Sequence, residues 1–229
     1  MKKVLSSNNL KIIAILAMVL DHVAYLFIPM TSLFYYLFRI IGRVTAPIMF
    51  YNLANGYYHS KNKKKYGIRL LSFALVSQIP FSLFISNKIF LYDNYNILFT
   101  LFLGFLCLYA IYDLKHIFLK TLIIIISAIL VCFCEYGLFG LTLILMFSLC
   151  KDDRWKLLFY SVISFAYMTI RTITDNSIII FILFSGLFLA IPFIKLYNGT
   201  KGKYNLKYLF YIFYPAHLLI LIMIKFILG

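Results

Sequence analysis

Acidic side chains are scarce in this 229-residue chain: 7 Asp and Glu stand against 22 Lys and Arg, a formal net charge of +15. Charged residues of both signs make up only 13% of the sequence, while 64% is hydrophobic and the mean hydropathy is +0.95. So little polar surface excludes a soluble globular domain of this length. It also removes the usual meaning of a strongly basic chain, which is nucleic-acid binding; in an integral membrane protein the excess is loop charge under the positive-inside rule. Cysteine is sparse as well. Cys107, Cys132, Cys134 and Cys150 lie in or beside apolar segments and form no C-x-x-C. They read as packing residues, with no metal site. No stretch rich in Pro or Gly divides the chain, so residues 1–229 read as a single domain, and no internal repeat is visible. The first apolar run carries Asp21-His22 where a small-residue cleavage site would stand, which argues against a cleaved signal peptide. The bias toward Ile, Phe, Tyr, Lys and Asn fits an AT-rich bacterial genome.

What remains is a succession of apolar segments. They fall near 10–30, 33–58, 67–86, 96–113, 117–134, 137–150, 157–171, 177–196 and 207–228. The expected fold is all-α and polytopic, with about nine transmembrane helices around a polar interior; 137–150 and 157–171 are short for a span. Lys and Arg are distributed unevenly between alternate connections. One set carries Lys2, Lys3 and Lys11, then Lys61, Lys63, Lys64, Lys65 and Arg69, then Lys115 and Lys120, then Lys151, Arg154 and Lys156, then Lys195, Lys201, Lys203 and Lys207. The other carries little beyond Lys88, Arg171 and Lys225. This asymmetry predicts a bacterial plasma-membrane protein with its N-terminus in the cytoplasm and its C-terminus outside. The connection 87–95 reads as a substrate-facing loop or as a solvated connector.

Asp21-His22 is the costliest feature of the chain. A mid-bilayer Asp alone costs roughly 2.5–3.5 kcal/mol on insertion scales, and spanning a membrane does not require it. Arg39 and Arg43 lie four residues apart, on one helical face of the second segment. His217 stands near the centre of the last segment, two residues after Pro215. These five ionisable groups fall at one depth and must face each other across the bundle interior. An imidazole oriented by a carboxylate is a general base. Arg suits phosphate or a developing oxyanion. A structural ion pair between Asp21 and the two Arg is the plainer alternative. Likewise the basic run 61–69 suits a polyphosphate ligand or anionic lipid headgroups.

Six stretches resemble the TraX family, named for acetylation of the N-terminus of conjugative pilin: Leu10–His22, Arg39–Gly56, Arg69–Phe81, Asn96–Gly104, Tyr136–Leu143 and Tyr208–Leu219. The chain also resembles the broader membrane acyltransferase family 3 at His22, at Arg69 with Pro80, and at Tyr214-Pro215-Ala216-His217. It lacks that family's Arg-x-x-Arg pattern, having Lys65-Tyr66-Gly67-Ile68-Arg69 in its place. The resemblance implies a membrane-embedded acyltransferase, with cytoplasmic acetyl-CoA as donor and an amine or hydroxyl of a peptide or glycan as acceptor. On that reading His22 is the general base and Asp21 orients it. Arg39 and Arg43 stabilise charge, and His217 lines the passage. Lys63, Lys64, Lys65 and Arg69 hold the CoA phosphates. A proton-coupled transporter is the alternative from the residues alone, although such proteins usually carry internal repeats. A non-catalytic scaffold would leave the five convergent groups without a purpose.

Overall fold

A computed structural model describes residues 3–89, 94–204, 206 and 208–228. The expected connection 87–95 therefore lies partly outside the described residues. Among the described residues the elements are helical, with two isolated β-bridges, Leu5 with Tyr197 and Tyr95 with Cys134. The helices are α1 (Ser7–Phe27), α2 (Leu33–Gly42), α3 (Thr45–His59), α4 (Lys63–Ser86), α5 (Ile97–Tyr112), α6 (Ile117–Leu130), α7 (Gly137–Leu149), α8 (Asp153–Thr174), α9 (Ile178–Phe184), α10 (Ala190–Lys195) and α11 (Leu209–Leu228). Their starts follow from capping chemistry. The Ser6, Ser32, Asn62, Asn96 and Asp152 side chains each accept a backbone N–H of the first turn.

Among the described residues, six stretches are by length and composition long and apolar enough to cross a membrane: Ser7–Phe27, Leu33–His59, Lys63–Ser86, Asp153–Thr174, Ile178–Lys195 and Leu209–Leu228. The segments expected at 96–113, 117–134 and 137–150 form shorter apolar helices, Ile97–Tyr112, Ile117–Phe133 and Gly137–Leu149. At about 1.5 Å rise per residue, the last of these covers only about 20 Å of a hydrocarbon core of roughly 30 Å. The segment at 157–171 is the opposite case. Its helix starts earlier, because Asp152 caps it ahead of a charged first turn, and it runs 22 residues. The second expected segment is broken into α2 and α3 at Arg43 and Val44.

One end of the bundle is tied together by contacts between distant parts of the chain. Val4 and Leu5 donate their N–H groups to the Leu196 carbonyl, and Ser7 and Asn8 donate to Thr200 and Lys201. Lys3 pairs with Asp153 and Lys63 with Asp113, while the Tyr57 hydroxyl bonds Asp113. The Lys-rich connections of the sequence meet at this end. At the other end Gln78 and Asn96, both buried, join α4 to the start of α5: Asn96 donates Nδ2 to the Gln78 Oε1 and to the Ala74 carbonyl, each at 2.8 Å. Helix α1 packs on α2, α3 and α11, and α11 on α4. That places α1 beside α2 and α11, which carry Arg39 and His217.

Candidate active site

Asp21 and His22 are neighbours on α1, so successive side chains diverge by about 100°. The divergence separates their partners. The Asp21 carboxylate takes Arg39 Nη1 at 2.9 Å and Arg43 Nη2 at 3.8 Å. Helix α2 comes this close because Gly42 faces Asp21: a Cβ on Gly42 would lie 2.5 Å from the Asp21 Cγ and Oδ1. Arg43 also donates to the Tyr136 hydroxyl at 3.4 Å and lies over the Phe184 ring at 4.8 Å, and Arg39 covers Tyr25 at 5.4 Å. One partly buried negative charge thus serves two guanidinium groups, and the Nε of each Arg has no hydrogen-bond partner among the described residues.

The His22 ring turns toward α11. Its Nδ1 is 2.7 Å from the His217 Nε2, with the two rings nearly parallel at 9°. Phe84 flanks His22 and Phe213 stacks on His217. The proton positions follow from the chain of partners. The His217 Nδ1 is 2.8 Å from the Phe213 carbonyl, which can only accept, so Nδ1 carries the hydrogen. In neutral His217 the Nε2 is then a lone pair, and the His22 Nδ1 donates to it. This leaves the His22 Nε2 with a free lone pair, the tautomer a general base needs. His217 therefore occupies the orienting position that sequence order suggests for Asp21, whose carboxylate is turned to the Arg pair instead.

A third group joins from the connector between α6 and α7. The Glu135 carboxylate accepts the Ile97 N–H at the start of α5 at 3.2 Å, and its carbonyl accepts the Thr100 hydroxyl at 2.6 Å. Burial pushes the Glu135 carboxyl up to about 7, against the pull of that N–H and of Arg43. The next residue, Tyr136, has φ +62, in the left-handed region that non-Gly residues rarely adopt. It is held there beside Arg43, and strain of this kind clusters at functional sites. The polar interior expected from sequence thus extends to Glu135 and Tyr136.

At the opposite, Lys-rich end a cavity of about 670 Å³ opens between α1, α3, α4 and α11. Lys11, Lys61, Lys65, Arg69 and Lys201 line it, and no acidic residue does among the described residues. Two of the four cations expected there are present, Lys65 and Arg69. Lys63 turns away to Asp113 at 2.7 Å, and Lys64 does not reach the cavity. Lys11, from the first turns of α1, and Lys201, from the connection after α10, take their place. Arg69 lies over the rings of Tyr66, Tyr208 and Tyr211 at 5.1–5.7 Å. Deeper in, Ala14, Met49, Leu53, Leu70 and Leu101 give an apolar floor.

The cavity and the histidine pair lie along one line. From Lys11 to His22 is 11 residues, or three helical turns plus about 20°, so both project from the same face of α1 about 16 Å apart. Ala14, the deepest α1 residue of the cavity, is still 8 residues and about 12 Å short of His22. Met18, buried at 4% exposure, occupies that face in between. The cavity therefore points at His22 and stops below it, behind a flexible thioether.

The family model described as TraX protein matches residues 6–225. A protein of Dichelobacter nodosus described as "Probable fimbrial assembly protein FimC, serogroup H1" is 31% identical over 231 residues, covering 94% of this chain and 94% of its own. No solved structure matches.

Proposed function

The chain belongs to the TraX family, and on that premise we propose that it is a membrane acyltransferase that moves an acetyl group from acetyl-CoA to an amine or hydroxyl acceptor. The observation that carries the reading is the alignment on α1 of a cationic, acid-free cavity with a paired histidine. The pantetheine arm of CoA spans on the order of 15–20 Å, about half a hydrocarbon core. The rise from Lys11 to His22 is about 16 Å. Phosphates held among Lys11, Lys65, Arg69 and Lys201 would thus bring the thioester to His22, once Met18 yields. The Lys-rich end faces the cytoplasm in this reading, as the positive-inside rule requires and as a cytoplasmic donor needs.

The chemistry balances without a further reactant. The His22 Nε2 takes a proton from the acceptor N–H or O–H as that atom attacks the thioester carbonyl. His22 becomes an imidazolium, and its Nδ1–H is held by the His217 Nε2. Negative charge moves to the carbonyl oxygen, within the field of Arg39 and Arg43, whose combined charge exceeds that of Asp21 by one. Collapse expels the CoA thiolate, which takes the proton from His22. The products are an acetyl amide or ester and free CoA. The similarity to a protein named for fimbrial assembly favours an exported, pilin-like peptide N-terminus as acceptor.

The test is acetyl transfer from radiolabelled acetyl-CoA by the purified protein, wild type against His22→Ala and His217→Leu. We expect His22→Ala to abolish transfer and His217→Leu, which offers the His22 Nδ1–H no acceptor, to lower turnover by about 10²-fold or more with KM for the donor unchanged. Wild-type turnover by His22→Ala would overturn the assignment.

A further inference from the structure

We propose that Glu135 is a second proton acceptor of the site: its carboxylate binds the ammonium form of an amine acceptor and takes the first of the two protons that the nitrogen must lose. The inference rests on the acyl-transfer reading above and deepens it, because His22 provides for only one of those protons. Glu135 stands apart from the other acids of the chain. Among the described residues Asp21, Asp113, Asp153 and Asp175 each pair with a Lys or Arg, and Asp152 caps α8. Glu135 has no salt-bridge partner among them, in a chain with 22 Lys and Arg. Its carboxylate accepts the Ile97 N–H at 3.2 Å. The carbonyl oxygen of a Gln would accept that N–H as well, so the start of α5 does not require an acid here.

Depth brings Glu135 level with His22. The Ser148 hydroxyl bonds Tyr112, so α7 and α5 are tied together at the Lys-rich end, where Ser7 also lies. From there to His22 along α1, to Ile97 along α5 and to Glu135 along α7 the rise is about 21–22 Å in each case. Two chains of contact join the level. Tyr136 reaches Arg43 at 3.4 Å, and Arg43 reaches Asp21, the neighbour of His22, at 3.8 Å. On the other side the Tyr214 hydroxyl shares the Ile97 N–H, and the Tyr214 ring lies 5.8 Å from that of His217. Glu135 and His22 are both only half-buried. The groups that act on Glu135 are Asp21, Arg39 and Arg43 from α1 and α2, Cys134 and Tyr136 beside it, Tyr167 of α8 and Tyr214 of α11. With both histidines neutral, the charges apart from Glu135 sum to +1, which repels an ammonium ion; the ionised carboxylate brings the sum to zero. The ammonium gives one proton to the Glu135 carboxylate, leaving a neutral amine beside a neutral acid. The amine lone pair attacks the thioester carbonyl, and His22 takes the second proton and passes it to the CoA thiolate. Glu135 sheds its proton to water as the amide leaves. The Glu135 carboxyl at about 7 and an α-amine at about 7.7–8.0 are matched closely enough for the first transfer. The neutral acid also spares the Arg pair a second negative charge while the oxyanion forms. A hydroxyl acceptor has no first proton to lose, so Glu135 serves amines.

The test is kcat/KM for a peptide with a free α-amine, with acetyl-CoA as donor, on the full chain in detergent over about pH 6–9, wild type against Glu135→Gln. This ratio follows the ionisation of free enzyme and free acceptor. The wild type needs an ionised Glu135 and a protonated amine, so its profile should be bell-shaped, with limbs near about 7 and about 7.7–8.0. In Glu135→Gln only the free base is productive, and the profile should rise with the amine alone. The two acid constants differ by about five- to tenfold. Glu135→Gln should therefore fall about five- to tenfold below wild type at about pH 6 and be no slower at about pH 9, where its activity also shows that it is folded. A loss by the same factor at every pH would assign Glu135 to holding the start of α5 and overturn the inference. A rising limb that stays where the wild type has it would overturn the inference too. Transfer to no amine by the wild type would overturn the acyl-transfer reading itself.

Discussion

Gly42→Ala tests the geometry on which the intramembrane charge cluster depends. The added methyl would meet the Asp21 Cγ and Oδ1 at 2.5 Å, where ordinary contact begins at 3.4 Å. Helix α2 and the Asp21 side chain must therefore separate by about 1 Å, which packed interiors resist. Asp21 cannot retreat freely, because Arg39 holds it at 2.9 Å and Arg43 lies at 3.8 Å. Moving Asp21 by the same distance stretches the 2.9 Å Arg39 bond to about 3.9 Å, beyond hydrogen-bond range. Two costs follow. Overpacking takes about 1–3 kcal/mol. A weakened buried ion pair adds to it, up to the roughly 3–5 kcal/mol of a pair broken outright. A 1 Å misplacement at a reacting centre is worth about 10²-fold in rate. The assays are the thermal unfolding midpoint in detergent and acetyl transfer by the surviving folded protein. We expect a lower midpoint and a turnover loss near that factor. A variant with wild-type midpoint and wild-type turnover would refute the close α1–α2 approach and the role of the Arg pair together.

Other consequences can be measured in the same preparations. Glu135, with its carboxyl pushed up to about 7, is neutral below that pH and ionised above it. Ionisation brings a second negative charge into the field of Arg43 and weakens the stabilisation of a developing oxyanion. Glu135→Gln should therefore retain activity at about pH 8–9 relative to pH 6, where the wild type declines; identical pH profiles would count against a site that extends to Glu135. At the Lys-rich end burial pushes the Asp113 carboxyl up, but the Lys63 and Tyr57 hydrogen bonds outweigh it and hold it below the ordinary range. Its contribution to stability is complete above the ordinary carboxylate pKa, about 4, and is lost as pH falls through the lowered value. Asp113→Asn should thus destabilise at neutral pH, with the difference from wild type shrinking in acid; a difference independent of pH would assign the effect to packing.

How much of this was open to the sequence differs from residue to residue. Hydropathy and the Lys and Arg distribution required a polytopic helical membrane protein, because lipid leaves backbone groups no partner outside a helix or a closed barrel. The cost of burying charge marked Asp21, His22, Arg39, Arg43 and His217 as one cluster. They meet in two contacts, Asp21 with Arg39 and Arg43 and His22 with His217, as expected where an unpaired charge cannot face hydrocarbon. Spacing along α1 alone would also have put Lys11 and His22 on one face, since helical geometry is local. The pairing within the cluster was beyond the sequence. Asp21 is adjacent to His22 in the chain yet bonds Arg39, while His22 meets a ring 195 residues away. The choice was made by the α1–α2 approach at Gly42 and by the packing of α11 against α1 and α4. The cavity shows the same division. Sequence offered a run of loop cations with no way to rank them. Tertiary structure turned Lys63 to Asp113 and brought Lys11 and Lys201 into one cavity with Arg69, with no acidic side chain among its described lining residues, because which cations share a cavity depends on which helices meet there.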